Sequence, residues 1–189
     1  MTAAAGAAHE LRLYVGELRQ LFDSMDPAPF RERDLDAKAA EYIVDSAREA
    51  PRGAPLGLTV QFGREAGAGS AATLLSDAVH EHFGRSAAGK RRELRELFRT
   101  GRISLAIGVG FLAVAIALAQ YLGERIASES GAWLVSESLI IGGWVALWRP
   151  MEIFLYDWWP IRAEARLFDR LAAMPVRVQF APSQAAAGP

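Results

Sequence analysis

The sequence predicts an α+β protein: a small cytoplasmic α/β domain, formed by both termini of the chain, around a two-helix transmembrane hairpin. Three observations lead there. Three short segments alternate apolar and polar residues with the period of two that half-buried strands have: Leu11, Leu13, Val15; Leu56, Leu58, Val60, Phe62; and Val176, Val178, Phe180. Between the second and third lie two apolar runs, Ile103 to Leu122 and Gly131 to Trp148, each near the roughly twenty residues a helix needs to cross hydrocarbon. Lys and Arg crowd the outer flanks of both runs and are sparse between them, which places both ends of the chain in the cytoplasm. The third strand can join the first two only after an even number of crossings, so strand pattern and charge bias agree through different residues.

Composition sets the frame. With 189 residues the chain has room for one modest domain and a small membrane part. Its 21 Lys/Arg and 22 Asp/Glu nearly cancel, so net charge exerts no general pull toward nucleic acid. The absence of cysteine excludes disulfides, thiolate zinc sites and cysteine nucleophiles. The opening "MTAAAGAAHELRL" has no basic stretch followed by an apolar one, so no signal peptide is expected, and 182–189 reads as a disordered tail.

Region 1–89 is the cytoplasmic α/β part. Its first strand has a competing helical reading, because Leu11, Val15, Leu18, Phe22 and Met25 also fit a helical stripe. The following "LFDSMDPAPFRERDLD" gathers Asp23, Asp26, Asp34 and Asp36, oxygen ligands of the kind magnesium or calcium takes. The spacing of a calcium loop is missing and Asp-Pro turn chemistry is present, so turns and capping account for these aspartates; no metal or cofactor is assigned. "DLDAKAAEYIVDSAREAP" reads as a helix, with Asp36 as N-cap, Tyr42 and Ile43 on the apolar face, and Pro51 as stop. After the second strand, "GREAGAGS" lacks the Gly-Lys-Ser/Thr of a P-loop and the third glycine of a dinucleotide loop, so it is a loop, with Ser70 capping a helix through Leu74, Leu75, Val79 and Phe83. His80 and His82 are two apart rather than four and are expected on a solvated face. "GRSAAGK" is expected to interrupt that helix. No serine elbow or catalytic triad occurs, and the chain offers no enzyme signature.

Residues 90–102 form a basic juxtamembrane helix. Lys90, Arg91, Arg92, Arg95, Arg99 and Arg102 set topology and suit anionic lipid headgroups, while Leu94, Leu97 and Phe98 share one face that lies on lipid or packs on the cytoplasmic domain. Interleaved aromatics and a broad basic surface are missing, so no nucleic acid is expected as partner.

The first span, 103–122, carries a small-residue stripe, Ala106, Gly110, Ala113 and Ala117, ending near Gln120. A short external loop, 123–130, leads to the second span, 131–149, with Ser138, Gly142 and Ala146 at steps of four and Trp133, Trp144 and Trp148 as interfacial anchors. Such stripes let helix backbones approach closely, within one hairpin or between protomers. Glu137 interrupts the second span about 9 Å along the helix from Gly131, toward the outer leaflet. Ionisable groups there are expensive and usually functional. Its leading role is assembly, through Ser136, Ser138, Gln120 or Arg125; the alternatives are an ion path with Gln120, Gly110 and Gly142, or snorkelling to the outer interface.

The aromatic interfacial segment 150–162 follows. In "RPMEIFLYDWWPIR", Pro150 is expected to kink or end the span. Arg149, Glu152, Tyr156, Trp158 and Trp159 form either an aromatic belt or a docking surface for another membrane subunit. Residues 163–181 complete the N-terminal domain with a helix bearing Ala165, Phe168 and Leu171, ended by Pro175, and the third strand.

"LFDSMDPAPFRERDLD" together with "GGWVALWRPMEIFLYDWWPIR" resembles a group of small uncharacterised bacterial inner-membrane proteins with two transmembrane helices. The resemblance implies the hairpin topology and supplies no catalytic residues. The expectation is therefore a non-enzymatic inner-membrane subunit whose partners are the lipid bilayer and either further copies of itself or another membrane subunit; the alternative is an oligomeric channel or pore with Glu137 near its path.

Overall fold

The computed structural model describes residues 9–22, 34–51, 53–63, 68–123 and 129–180. The chain divides into two compact units: Met1–Gly89 with Glu164–Pro189, and Lys90–Ala163.

In the first unit, strands β1 (His9–Val15), β2 (Leu56–Phe62) and β3 (Val176–Phe180) form a parallel sheet in the order β1-β2-β3. Parallel strands added in one direction, where crossovers follow the usual right-handed rule, bring every connecting helix to the same face. Burial follows that rule. Leu11, Leu58, Val60 and Phe62 face a core supplied by Ile43 of α1 (Ala37–Glu49), by Leu75, Val79 and Phe83 of α2 (Ala68–Gly123), and by Leu171 of α4 (Trp158–Ala172). Phe83 stacks on Phe168 with centroids 6.2 Å apart. The opposite face stays polar: Arg12, Thr59 and Arg177 lie side by side across the strands, and Tyr14, Gln61 and Gln179 form the next row.

Local chemistry accounts for the element ends. The Asp36 carboxylate accepts from the amides of Lys38 and Ala39 at 3.0 and 3.2 Å, satisfying two donors that the first turn of α1 leaves free. The competing helical stripe at the N-terminus survives only as a 3-10 turn, Leu18–Leu21, which buries Leu21, while Phe22 bridges to Leu35. Tyr42 is not on the buried face of α1. It is half-exposed, and its hydroxyl donates to the Arg12 carbonyl on the outer edge of β1.

Three expected helix boundaries are corrected. α2 begins at Ala68, so Ser70 lies inside it, and the helix runs 56 residues without a break at "GRSAAGK". Gly84 and Gly89 each weaken a helix by about 1 kcal/mol relative to alanine. Propagation nonetheless adds a hydrogen bond for every residue fixed, and Ala87 between them is buried. Likewise Pro150 does not end the second apolar helix: α3 runs from Glu129 to Glu152 with Pro150 inside it. The disturbance comes later, as a π-helical turn at Ile153–Asp157 that leads directly into α4. Pro160 brings no amide hydrogen to the turn before it, and such a wide turn is a common response where the helical ladder is broken.

The second unit holds two helices long and apolar enough to cross a membrane, and only 17% of each apolar window is buried. Ile107, Val114, Trp133, Val145 and Trp148 are each more than half exposed. That surface is far more apolar and continuous than water-facing helices carry. Asp23, Asp26, residues 64–67 of "GREAGAGS", residues 124–128 with Arg125, and the 182–189 tail lie outside the residues described, while 68–70 and 129–130, expected as loop, belong to α2 and α3.

Candidate functional site

The site is built on the seam between the second half of α2 and α3. Gly101 of α2 faces Ile153 and Phe154, Gly108 faces Ala146 and Leu147, and Leu112 faces Gly143, so the helices run antiparallel. Ala115 and Ala119 continue the buried side of α2. Two glycines make this approach possible. A Cβ at Gly108 would fall 2.9 Å from Leu147 Cδ2 and 3.1 Å from the Ala146 carbonyl oxygen, and one at Gly143 would collide with the Leu112 side chain. The Ala146 carbonyl is the one that Pro150, four residues on, cannot serve as a donor. Gly108 thus brings a neighbouring backbone to the place where the ladder of α3 is missing a bond.

The seam does not run through the small-residue stripes, which leaves contacts between protomers as the reading still open for them. Ala106, Gly110, Ala113 and Ala117 are exposed, and open space surrounds a Cβ placed at either Gly110 or Gly142. Of the second stripe only Ala146 reaches the partner helix. The discriminating signal was a seven-residue recurrence, Gly101, Gly108 and Ala115 on α2 with Gly143 and Pro150 on α3, which keeps one face against an antiparallel neighbour better than steps of four do. Glu137 and Gln120 also stand exposed, outside the seam. Ser138 does not serve Glu137; its hydroxyl donates to the Leu134 carbonyl at 2.8 Å.

At the far end of the seam, aromatic rings close the hairpin. Phe98 packs on Phe154 and Trp158, with centroids 6.1 and 6.4 Å apart. Phe98, on the apolar face expected to lie on lipid or on the cytoplasmic domain, thus meets the π-helical turn and the start of α4. Trp158 donates its indole N–H to the Phe154 carbonyl at 2.9 Å, satisfying an acceptor in the widened turn, and Arg162 lies 5.5 Å over its ring. Tyr156 and Trp159 point outward and are mostly exposed. Arg149 pairs with Glu152 at 3.1 Å and with Asp157 at 3.4 Å, while the Trp148 indole donates to the other oxygen of Glu152 at 2.9 Å. Beside this cluster lies an apolar groove of about 620 Å³ along one side of α3, lined by Ile141, Trp144, Val145 and Trp148. Of the basic helix residues, Lys90 is half-buried with its ammonium 2.9 Å from Glu93, and Arg91, Arg92, Arg95, Arg99 and Arg102 lie on exposed positions.

In the first unit the polar face of the sheet carries a smaller cluster. Thr59 donates to Glu10 at 2.6 Å and Arg12 approaches the same carboxylate at 3.3 Å. The Thr59 hydroxyl, with Arg12, holds the Glu10 carboxyl below its usual range against a small opposing effect of burial. The other charged candidates are structural. Asp34 forms a two-pronged ion pair with Arg85, and Asp36 caps α1. His80 and His82 are half-buried rather than on a solvated face: His80 Nε2 meets the Met174 carbonyl at 2.8 Å, and His82 packs edge-on to Phe83.

No protein-family model, curated protein or solved structure matches this chain.

Proposed function

We propose that this chain is a non-enzymatic integral protein of the bacterial inner membrane, a homo-oligomeric or accessory assembly subunit whose hairpin anchors the α/β unit in the cytoplasm. The basic residues from Lys90 to Arg102 and the arginines from Arg149 to Arg170 favour the cytoplasmic side for both flanks, leaving the 123–130 loop outside. The resemblance to small two-span inner-membrane proteins supports the same topology.

Glu137 carries the assembly reading. Its carboxylate stands exposed on a helix surface otherwise made of Leu134, Ile141, Trp144 and Val145. An acidic side chain at the centre of a span costs about 2.5–3.5 kcal/mol, less near an interface. A donor from a second copy or from a partner helix offsets that cost, and the exposed Tyr156 and Trp159 add aromatic contact area of the kind interfaces use. Native mass spectrometry of the protein released with its surrounding lipid tests this. A discrete oligomer or a stoichiometric complex is expected, weakened by Glu137→Leu; a monomer with no companion overturns the reading. The pore alternative rests on the same carboxylate and predicts that Glu137→Gln changes single-channel current while the oligomer stays intact.

A further inference from the structure

The groove on α3 combines two features rarely found side by side on a lipid-facing helix. Its walls are Ile141, Trp144, Val145 and Trp148, all more than half exposed. Its polar rim holds Arg149 and Glu152, and Arg149 also pairs with Asp157, which lies beside the groove and does not line it. The rim is held in place from within: the Trp148 indole fixes one oxygen of Glu152, and Arg149 takes the other. Both carboxylates keep part of their surface open, at 40% for Glu152 and 34% for Asp157.

We infer that this groove is a binding site for a phospholipid with a primary-amine headgroup. The inference rests on the reading of α2 and α3 as a membrane hairpin and names the partner of its aromatic end. The apolar walls match acyl chains, and the rim lies one helical turn beyond Val145, where a headgroup begins. Charge decides among headgroups. A phosphate needs a cation, which Arg149 supplies with its fork of N–H donors. The lining itself is neutral, one guanidinium against one carboxylate, and with Asp157 beside it the cluster around Arg149 has one more negative group than positive, so a lipid of net negative charge is disfavoured there. A zwitterion whose ammonium reaches Glu152 or Asp157 while its phosphate meets Arg149 satisfies both signs. A trimethylated choline headgroup has the same charge but no N–H to donate, so the carboxylates distinguish a primary amine from it by hydrogen bonding.

The test is lipid retention. The full chain is reconstituted into vesicles of equal parts phosphatidylethanolamine, phosphatidylcholine and phosphatidylglycerol, extracted gently, and its bound lipid quantified by mass spectrometry. Phosphatidylethanolamine is expected to exceed phosphatidylcholine by about three-fold, the size of an exposed charge contact. Glu152→Gln, which keeps an acceptor for Trp148, is expected to bring the ratio toward one. Arg149→Gln lowers total retained phospholipid. Circular dichroism verifies that each variant keeps its helicity, and if Glu152→Gln loses it, Asp157→Asn gives the same readout. Equal retention of the three lipids, or a preference for phosphatidylglycerol, overturns the site while leaving the hairpin intact. A chain that stays in the aqueous phase overturns both.

Discussion

At the scale of single residues, what a side chain does here depends on which face it turns to, and His82 gives the clearest case. Burial beside Phe83 pushes its imidazole below the ordinary range; Asp34 opposes that shift and Arg85 adds to it. A histidine whose folded pKa is depressed binds its proton less readily when folded. Its contribution to stability is complete above about pH 6.5, where an unperturbed imidazole titrates, and is lost as pH falls from there through the folded value. Glu10 also has a depressed pKa, but a carboxylate loses its contribution only below about pH 4.3, so the two effects occupy separate windows. The melting temperature of the first unit, followed in detergent, should therefore fall between pH 7.5 and pH 5.5, and His82→Gln should flatten that slope. An equal slope in the variant would assign the acid sensitivity elsewhere. The histidine's role was illegible in sequence because spacing reports neighbours along one helix, such as Arg85 three residues on, and not the burial or the Asp34 carboxylate that arrive from other segments. Asp36 was legible for the opposite reason, since a cap acts on amides two and three residues away.

At the scale of elements, local periodicity carried much and failed where the outcome depends on a partner. All three strands follow their period-two pattern with one face on the core; on the other face the edge strands β1 and β3 carry exposed residues, whereas in the central β2 Gly57 and Thr59 are buried and the alternation is one of polarity alone. The break expected at "GRSAAGK" did not occur, and of the kink or end expected at Pro150 the end did not, for one reason: a breaker residue adds a fixed penalty, whereas a long helix collects compensation along its whole length. The seam is the sharpest lesson. Steps of four pointed to Gly110 and Gly142 for contact within the hairpin or between protomers; within the hairpin the contact runs through Gly108 and Gly143 instead, and only a neighbouring helix can decide between adjacent faces. The two glycines on α2 thus make a matched test. Gly108→Leu should destabilise the hairpin by at least the roughly 1–3 kcal/mol typical of overpacking, since Leu147 and the Ala146 carbonyl occupy the space. Gly110→Leu should leave the hairpin intact, because its Cβ meets nothing within 4 Å. Resistance of each variant to unfolding in detergent separates them; equal loss would mean that the seam is misassigned. If Gly110→Leu instead abolishes an oligomer while sparing the hairpin, the small-residue stripe works between protomers.

At the scale of the whole chain, the two apolar helices and the parallel sheet constrain each other. β3 follows the second apolar helix in sequence yet pairs with β2, which precedes the first. A chain that crosses a membrane between those strands must return before it can pair, so sheet and spans together demand two crossings or none. The exposed apolar surface of both helices disfavours none. The proposed orientation rests on charge: Lys90 to Arg102 precede the first apolar helix and Arg149, Arg162, Arg166 and Arg170 follow the second, and such clusters favour the cytoplasmic side. A chain without cysteine makes this directly measurable, because any thiol introduced is the only one present. Ser128→Cys, in the loop between the spans, should react with a membrane-impermeant maleimide added to intact cells. Ser183→Cys and Ala3→Cys should react only after the cells are opened. Labelling of both ends in intact cells would reverse the orientation and keep the hairpin, whereas labelling of one end alone would mean a single crossing, a result that no pairing of β2 with β3 permits.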